Sequence, residues 1–404
     1  MTLNENLPCI KRRMYDGRFG LERETLRVDE QNRLAQTPHP FGDNPNISRD
    51  FCENQVEIIT DVADSAHEVV EQLLQFHNYV TQTLRTLDSG AEHLWLYSNP
   101  PQISGENEIP IAEFTGAQQQ KSAYRKYLAR KYGKKKMLFS GIHCNYSFHD
   151  ELISESFKEL GGGFESLQAY KDALYLSLAQ RLTQYSWLLV YLTAASPVCD
   201  ESFWEGVSHR RYSSMRCSEI GYWNDFVPVL SYDNAFEYAK SIQNYIDSQQ
   251  IMSISELYYP IRLKPKGENS IDNLVLRGVN HIELRMFDVN PLSDIGIFEQ
   301  DIEFVQLLIL YLMSLDDAPF GAREQTDAVI NMKQSALFDD EHIFIIDGEC
   351  KTNIKTAAGE VLDEMEAFFR SADAPEWVWQ QLAYQREKLQ FPEKRYAEVV
   401  AAGY

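Results

Sequence analysis

The chain has 404 residues, 44% hydrophobic, 24% charged and 12% aromatic, which supplies a large core and excludes disorder as the dominant state. Its 38 Lys and Arg against 60 Asp and Glu leave a formal charge of −22, a surface that repels phosphate backbones and argues against a nucleic-acid binder. A polyanionic ligand is expected only where metal ions or a local Arg/Lys cluster reverse the field.

Residues 17–60 read as strands and turns: GLERETLRV, a polar loop with Pro38, Pro40, Gly42 and Pro45, then FCENQVEIIT. Val69, Val70, Leu73, Leu74, Val80 and Leu84 recur near helical spacing and predict an amphipathic helix over 63–87. Residues 98–118, with Pro100, Pro101, Gly105 and Pro110, read as loop. The segment 121–136, KSAYRKYLARKYGKKK, is the strongly basic stretch of the chain and reads as helical until Gly133. FSGIHCNYSF (139–148) alternates like a strand, whereas 150–168, polar with Gly161, Gly162 and Gly163, reads as a turn or mobile connector. A long apolar helix over 170–195 is stopped by Ser196-Pro197. Strands follow at 256–263 and 279–289, a helix at 295–315, and weak helical signals over 325–390. Helices and clustered strands alternate without a βαβ rhythm, so the expected fold class is α+β with a mainly antiparallel sheet in a single domain over 1–404.

The six cysteines (Cys9, Cys52, Cys144, Cys199, Cys217 and Cys350) include no CxxC pair. That argues against a zinc site or a disulfide framework and for reduced, cytoplasmic usage. The N-terminus lacks the apolar h-region of a signal peptide. The longest apolar runs, near 188–195 and 307–313, fall far below the ~20 residues that span a bilayer, so no membrane partner is expected. Nothing in the pattern speaks to oligomeric state.

Residues two apart on a strand share a face. Glu22 and Glu24 therefore project together, as do His143, Asn145 and Ser147, with Ile142, Cys144, Tyr146 and Phe148 behind them. Glu283 and Arg285 share a face opposite Ile282, Leu284 and Met286. Three strands each offer a polar face backed by an apolar one. A sheet lined by carboxylates, one His and Arg suits a magnesium–nucleotide site, because Mg²⁺ takes carboxylate oxygens and Arg neutralises a transferring phosphoryl group. Taken singly, each segment reads more readily as a wet strand face in an acidic protein, and a lone His such as His143 is more often structural than a ligand. No GxxxxGK[ST], GxGxxG, HExxH or GxSxG motif occurs, so any ATP site is not a P-loop.

At these strands the sequence resembles the bacterial glutamate–cysteine ligase family of the enterobacterial type. Gly20-Leu21-Glu22-Arg23-Glu24-Thr25-Leu26-Arg27-Val28 matches its signature almost letter for letter. Asp50-Phe51 with Glu57-Ile58-Ile59-Thr60 looks like its D-F-x5-E segment, and Ser140-Gly141-Ile142-His143 with Asn145 like its S-G-[VI]-H-x-N strand. Ala195-Ser196-Pro197, Arg216 with Gly221-Tyr222, Glu256-Leu257-Tyr258 with Pro260-Ile261-Arg262, and Arg277-Gly278 with Glu283, Arg285, Asp288 and Asn290-Pro291 follow in order, collinear from about residue 18 to about residue 300.

The resemblance implies an antiparallel sheet curved into a half-barrel or funnel, similar to that of glutamine synthetase, with helices outside. It implies an ATP- and Mg²⁺-dependent ligase (Mn²⁺ serving as well) that joins the γ-carboxylate of L-glutamate to the amine of L-cysteine through a γ-glutamyl phosphate. Carried over residue by residue, the metal ligands are Glu22, Glu24, Asp50, Glu57, His143 and Glu283. Arg285 contacts the transferring phosphate and, with Glu283 and His143, forms the catalytic group. Arg216 holds the glutamate carboxylate, and Asn145, Phe51, Tyr124, Leu128, Met137, Tyr222 and Tyr258 complete the substrate pockets. Core packing is the competing reading for the tyrosines. Met137 stands where the enterobacterial enzyme has glutamine and Cys144 where it has tyrosine. The chain also ends soon after residue 390 and lacks the ATP-grasp domain of bifunctional glutathione synthetases, so only the first step of glutathione synthesis is expected. Two alternatives stay open: a relative using a different amine acceptor, and a non-catalytic homologue that binds amino acid or nucleotide.

Overall fold

Alternation of small or apolar with polar residues over Gly17–Asp29 makes one 13-residue strand, β1, the spine of the sheet. The computed structural model describes residues 8–203 and 211–403, so part of the N-terminal stretch read above for a signal peptide lies outside the described residues. Helix α1 (Pro8–Arg13) precedes β1; β2 (Ile47–Arg49), β3 (Gln55–Ile59), α2 (Ala66–Arg85), β4 (Glu92–Trp95), α3 (Gln119–Tyr132) and β5 (Gly141–Phe148) follow it. Helices α4 (Asp150–Leu160), α5 (Leu167–Thr193) and α6 (Ala235–Asp247) lead to β6 (Ile261–Pro265), α7 (Ile271–Arg277) and β7 (Val279–Asp288). The chain closes with α8 (Glu299–Leu312), α9 (Ala322–Ser335), β8 (Phe344–Asp347), β9 (Cys350–Asn353), α10 (Ile354–Ser371), α11 (Glu376–Gln390) and α12 (Tyr396–Ala402).

Among the described residues, seven strands form an open antiparallel sheet in the order β2-β3-β1-β5-β7-β6, with β4 pairing the far end of β1. The ends do not meet, so the sheet is open rather than a closed barrel. Register shifts interrupt the β5–β7 and β6–β7 ladders, the irregularities that bend strands and increase twist. One face buries Phe19, Leu21, Ile142, Cys144, Tyr146, Phe148, Ile282, Leu284 and Met286 in the main core. The long helix α5 packs on β6 and β7 and against α8 and α9. It is buried all round because it is sandwiched between layers. A second apolar cluster gathers Phe51, Leu128, Met137, Phe139, Met215 and Tyr258 with half-buried Tyr124, Tyr132 and Tyr222. No helix of the described residues is long and apolar enough to cross a membrane.

Four expectations change. Residues 150–168 hold helix α4: the His149 side chain accepts from the Glu151 N–H, Asp150 and Glu151 occupy the first turn, and Leu152 and Ile153 are buried. Polar residues 154–156 hide that pattern from a composition reading. The stretch 325–390 contains the β8–β9 hairpin, whose two-residue Gly348-Glu349 loop puts Gly348 at φ +61°, the left-handed region that glycine enters freely. The strand placed at 256–263 starts only at Ile261, because residues 254–256 coil into a 3₁₀ turn and Pro260 has no N–H for the ladder. The back of β1 is not purely apolar: Arg23 and Arg27 are fully buried there, Arg23 against His77 (3.0 Å) and Arg27 paired with Glu92 (2.7 Å).

The C-terminal helices are fastened by buried charge. Lys388 on α11 lies 3.2 Å from Asp301 on α8, donates to the Leu192 carbonyl (3.0 Å) and sits over the Tyr396 ring. Both charged side chains are at most 3% exposed. Removing one partner strands the other without water, which typically costs about 3–5 kcal/mol. Lys388→Met is therefore expected to lower the denaturant midpoint strongly, and Lys388→Met with Asp301→Asn to recover part of the loss. Equal midpoints for wild type and Lys388→Met would refute this account of the anchor.

Candidate active site

Antiparallel register decides which polar residues meet, since directly opposed residues share a face. Glu24 pairs with Glu57 across β1–β3, Glu22 with His143 across β1–β5, Asn145 with Glu283 across β5–β7, and Glu283 with Arg262 across β6–β7. Six of these seven side chains, all but Arg262, were expected at the site. They now line the face opposite the main core.

At the centre, ligand atoms of Glu22, His143 and Glu283 all lie within 4.8 Å of one another. His143 Nδ1 is 3.3 Å from Glu22 and 3.8 Å from Glu283, and Nε2 is 3.8 Å from Glu24. Asn145 donates to Glu22 (3.0 Å) and the Gly141 N–H to Glu24 (3.0 Å). His143 Nε2, Glu283 Oε1 and Asn145 Oδ1 are buried without hydrogen-bond partners. Buried polar atoms are normally satisfied, so the unpartnered His143 Nε2 beside this cluster fits a polar ligand, while Glu283 Oε1 keeps an ion pair with Lys264 (3.3 Å). Carboxylate oxygens with one imidazole suit a hard or borderline divalent cation such as Mg²⁺ or Mn²⁺.

The electrostatics split the face in two. Burial alone would raise Glu283, but Arg262, Lys264 (3.3 Å) and Arg285 (3.3 Å) hold it well below the carboxylate range. Burial would raise Glu22 as well, but the His143 hydrogen bond overrides it and keeps that group at about 2. His143 is pushed down to about 4 by burial and by Arg285, so its imidazole is neutral and free to act as a ligand. The other group is strained: burial and then Asp50 push Glu24 up to about 8, and burial with Asp50, Glu22 and Glu24 pushes Glu57 well up. Asp50 is partly exposed, with its nearest cation Arg125 at 4.0 Å. Of the six expected ligands, the structure brings the ligand atoms of Glu22, His143 and Glu283 together, whereas Glu24, Asp50 and Glu57 act on one another electrostatically without closing to that range.

Arg216 lies at the end of this row, buried beside Glu24, with Nη1 donating to the Phe287 carbonyl (3.3 Å). Its guanidinium rests on Gly141, where a Cβ would come within 2.2 Å of Cζ. Phe51, Leu128, Met137 and Tyr258 are buried in the second apolar cluster with Tyr124 and Tyr222 at its edge, so the structure brings the expected acceptor residues together. Tyr222 and Tyr258 lie with ring centroids 4.0 Å apart and share a hydroxyl–hydroxyl hydrogen bond. Sequence reasoning missed the contribution of Arg262 and Lys264, whose two-residue spacing on β6 was the available signal. It also missed Arg125, which donates to the Asp50 carbonyl.

Comparison with known proteins follows this geometry. Two solved structures share the fold over nearly the whole chain. A bifunctional glutathione synthetase from Pasteurella multocida has TM-score 0.86 and 26% identity, covering 98% of this chain and 51% of that one. A glutamate–cysteine ligase from Francisella tularensis, in complex with AMP, has TM-score 0.84 and 26% identity, covering 95% and 84%. The fold is that of glutathione-pathway ligases. More narrowly, the glutamate–cysteine ligase family model matches residues 8–335, and the chain belongs to that family. The glutamate–cysteine ligase of Clostridium acetobutylicum is 30% identical over 89% of this chain and 85% of its own length. The glutathione biosynthesis bifunctional protein GshAB of Listeria monocytogenes is 36% identical over 97% of this chain. The chain spans about half the length of such bifunctional relatives, 53% in that case.

Gly141→Ala is expected to fold yet drive the Arg216 guanidinium off the strand, because the new methyl group occupies its place. A crystal structure of the variant checks this, and an unmoved Arg216 would contradict it.

Proposed function

We propose that the chain is an ATP-dependent ligase that joins the γ-carboxylate of L-glutamate to the amine of L-cysteine. The observation that carries this reading is the convergence of Glu22, His143 and Glu283, with His143 Nε2 unpartnered, beside Arg285 on an open sheet face. Family membership and the AMP bound to the Francisella relative support the nucleotide part.

The chemistry is an activation problem. A carboxylate does not accept an amine at neutral pH, because its oxygen leaves badly. Attack of the glutamate γ-carboxylate oxygen on the γ-phosphorus of ATP breaks the bond to ADP and gives an acyl phosphate. The amine then attacks the acyl carbon, phosphate leaves with the electron pair, and the amine loses a proton. When bound, Mg²⁺ or Mn²⁺ screens the repulsion between these anions and stabilises the developing charge. In this reading Glu22, His143 and Glu283, with Glu24, Asp50 and Glu57, hold the metal ions. Arg285 neutralises the phosphoryl group in flight, Arg216 clamps the glutamate carboxylate, and Asn145 orients Glu22. Phe51, Tyr124, Leu128, Met137, Tyr222 and Tyr258 wall the acceptor and exclude water from the acyl phosphate. No protein nucleophile is required.

ATP-dependent phosphate release with glutamate and a panel of amines tests the reading. Glu22→Gln and Glu283→Gln are expected to lower kcat by about a hundredfold or more, since each uncovers charge the site must neutralise. Arg216→Ala raises KM for glutamate, a ground-state clamp, whereas Arg285→Ala mainly lowers kcat. Near-wild-type turnover in both carboxylate variants would sink the metal assignment.

A ligase with another acceptor is the second reading, favoured by Met137, which puts a polarizable apolar side chain in the wall of the acceptor cluster. Such a wall separates cysteine from 2-aminobutyrate by only about 1–3 kcal/mol, and it disfavours serine, whose hydroxyl leaves water without a partner. The expected order of kcat/KM is cysteine and 2-aminobutyrate together, serine well below. A preference for serine or for a bulky amine would promote the second reading.

A further inference from the structure

Helix α3 lends Tyr124 and Leu128 to the acceptor wall, but the mechanism above gives no role to its Tyr127, Lys131 and Tyr132, which converge on a fully buried carboxylate behind that wall. Glu256, at the end of the 3₁₀ turn before β6, has a side chain 0% exposed. Its Oε1 accepts from Lys131 Nζ (2.6 Å) and from the Tyr132 hydroxyl (2.8 Å), and its Oε2 from the Met252 N–H (2.6 Å). Tyr127 adds a longer contact at 3.3 Å. Burying a carboxylate is costly unless it is paired and hydrogen-bonded, and here four donors from two segments meet that requirement.

The same group reaches the acceptor wall from behind. Asn224 donates to the Tyr132 hydroxyl (3.1 Å) and the Glu256 carbonyl (2.9 Å), and its amide oxygen accepts from the Tyr258 N–H (2.9 Å). The Tyr132 ring stands edge-on to Tyr258 (centroids 5.5 Å, 66°) and to Tyr222 (6.4 Å, 70°). Tyr222 and Tyr258, the faces turned to the acceptor, are thus fixed by Tyr132 and Asn224, and these in turn by Glu256 and Lys131.

We infer that Glu256 and Lys131 are positioning residues that set the acceptor wall and so determine affinity for the incoming amine, without touching substrate. The inference rests on the ligase reading and deepens it. The charge pair ties α3 to the segment 252–258, so the spacing between Leu128 and Tyr124 on one side and Tyr258 on the other follows from one ion pair. The segment also touches the charged face, where Arg262 Nη1 donates to the Ser255 carbonyl (3.2 Å), but the side chains of Glu256 and Lys131 make their contacts with Tyr127, Tyr132 and residues 250–252 rather than with Arg216 or Arg285.

The test compares two amines on the full chain. Hydroxylamine is small enough to trap the acyl phosphate as γ-glutamyl hydroxamate without a formed wall, whereas cysteine needs the wall. Glu256→Gln keeps the shape and removes the charge, Lys131→Met removes the partner, and Lys131→Arg restores it. Expected for Glu256→Gln and Lys131→Met is a rise in KM for cysteine of about tenfold or more, with hydroxamate formation within about twofold of wild type. Lys131→Arg is expected to return KM toward wild type. An unchanged cysteine KM in Lys131→Met overturns the inference, as does a parallel fall of both reactions in that variant. Wild type that makes neither product would instead overturn the ligase reading itself.

Discussion

The arrangement depends on one constraint: carboxylates packed on a largely buried sheet face repel one another, and Arg262, Lys264, Arg285 and Arg216 are placed to offset that. Glu283 is held by three of them, Arg262, Lys264 and Arg285, from two adjacent strands. Glu24 and Glu57, directly opposed across β1–β3, are pushed toward the neutral form, because burial and Asp50 outweigh Arg216 and Arg285 at Glu24 and Arg125 at Glu57. In a low dielectric such an imbalance is large: the side holding Glu283 carries its own counter-charge, whereas the side holding Glu24 does not balance its carboxylates.

The apolar half of the molecule serves this arrangement. Residues 19, 21, 142, 144, 146, 282, 284 and 286 alternate with the polar ones and pin the strands to the helical layer. A slip of one residue in any ladder would exchange the two faces. Burial of α5 against β6 and β7 therefore guards the alignment of Glu283 with Asn145 and Arg262 as much as it stabilises the fold.

Much of this was legible in the sequence, for a simple reason. A period of two is visible in a single strand, so Glu22 with Glu24, His143 with Asn145, and Glu283 with Arg285 were placed on shared faces from spacing alone. Which strands are neighbours is not written in any one of them. The meeting of Glu22 with His143, and of Glu24 with Glu57, needs the register. Asp50, Glu57, Arg216 and the tyrosines came only from family resemblance, because they lie on short strands, loops and a helix where periodicity says little. Arg262 lay inside the strand expected at 256–263, but Lys264 fell one residue past its end, so the face they share was not read. Glu256 was quoted as part of a motif, but its burial is a tertiary fact: an acidic residue beside Leu257 and Tyr258 reads as surface until Lys131 and Tyr132 arrive from α3.

The open ends of the sheet carry one more consequence. A sheet that does not close leaves edge strands whose free N–H and C=O groups invite pairing with another molecule, here β2, β6 and the four-residue β4. One edge, β2, is only three residues long. Another, β6, ends in Lys264-Pro265, where the proline removes a donor and the lysine ammonium turns toward Glu283. Side chains that arrange the charged face thus also leave little edge to template aggregation, and an open funnel can stay accessible to small molecules without seeding fibrils.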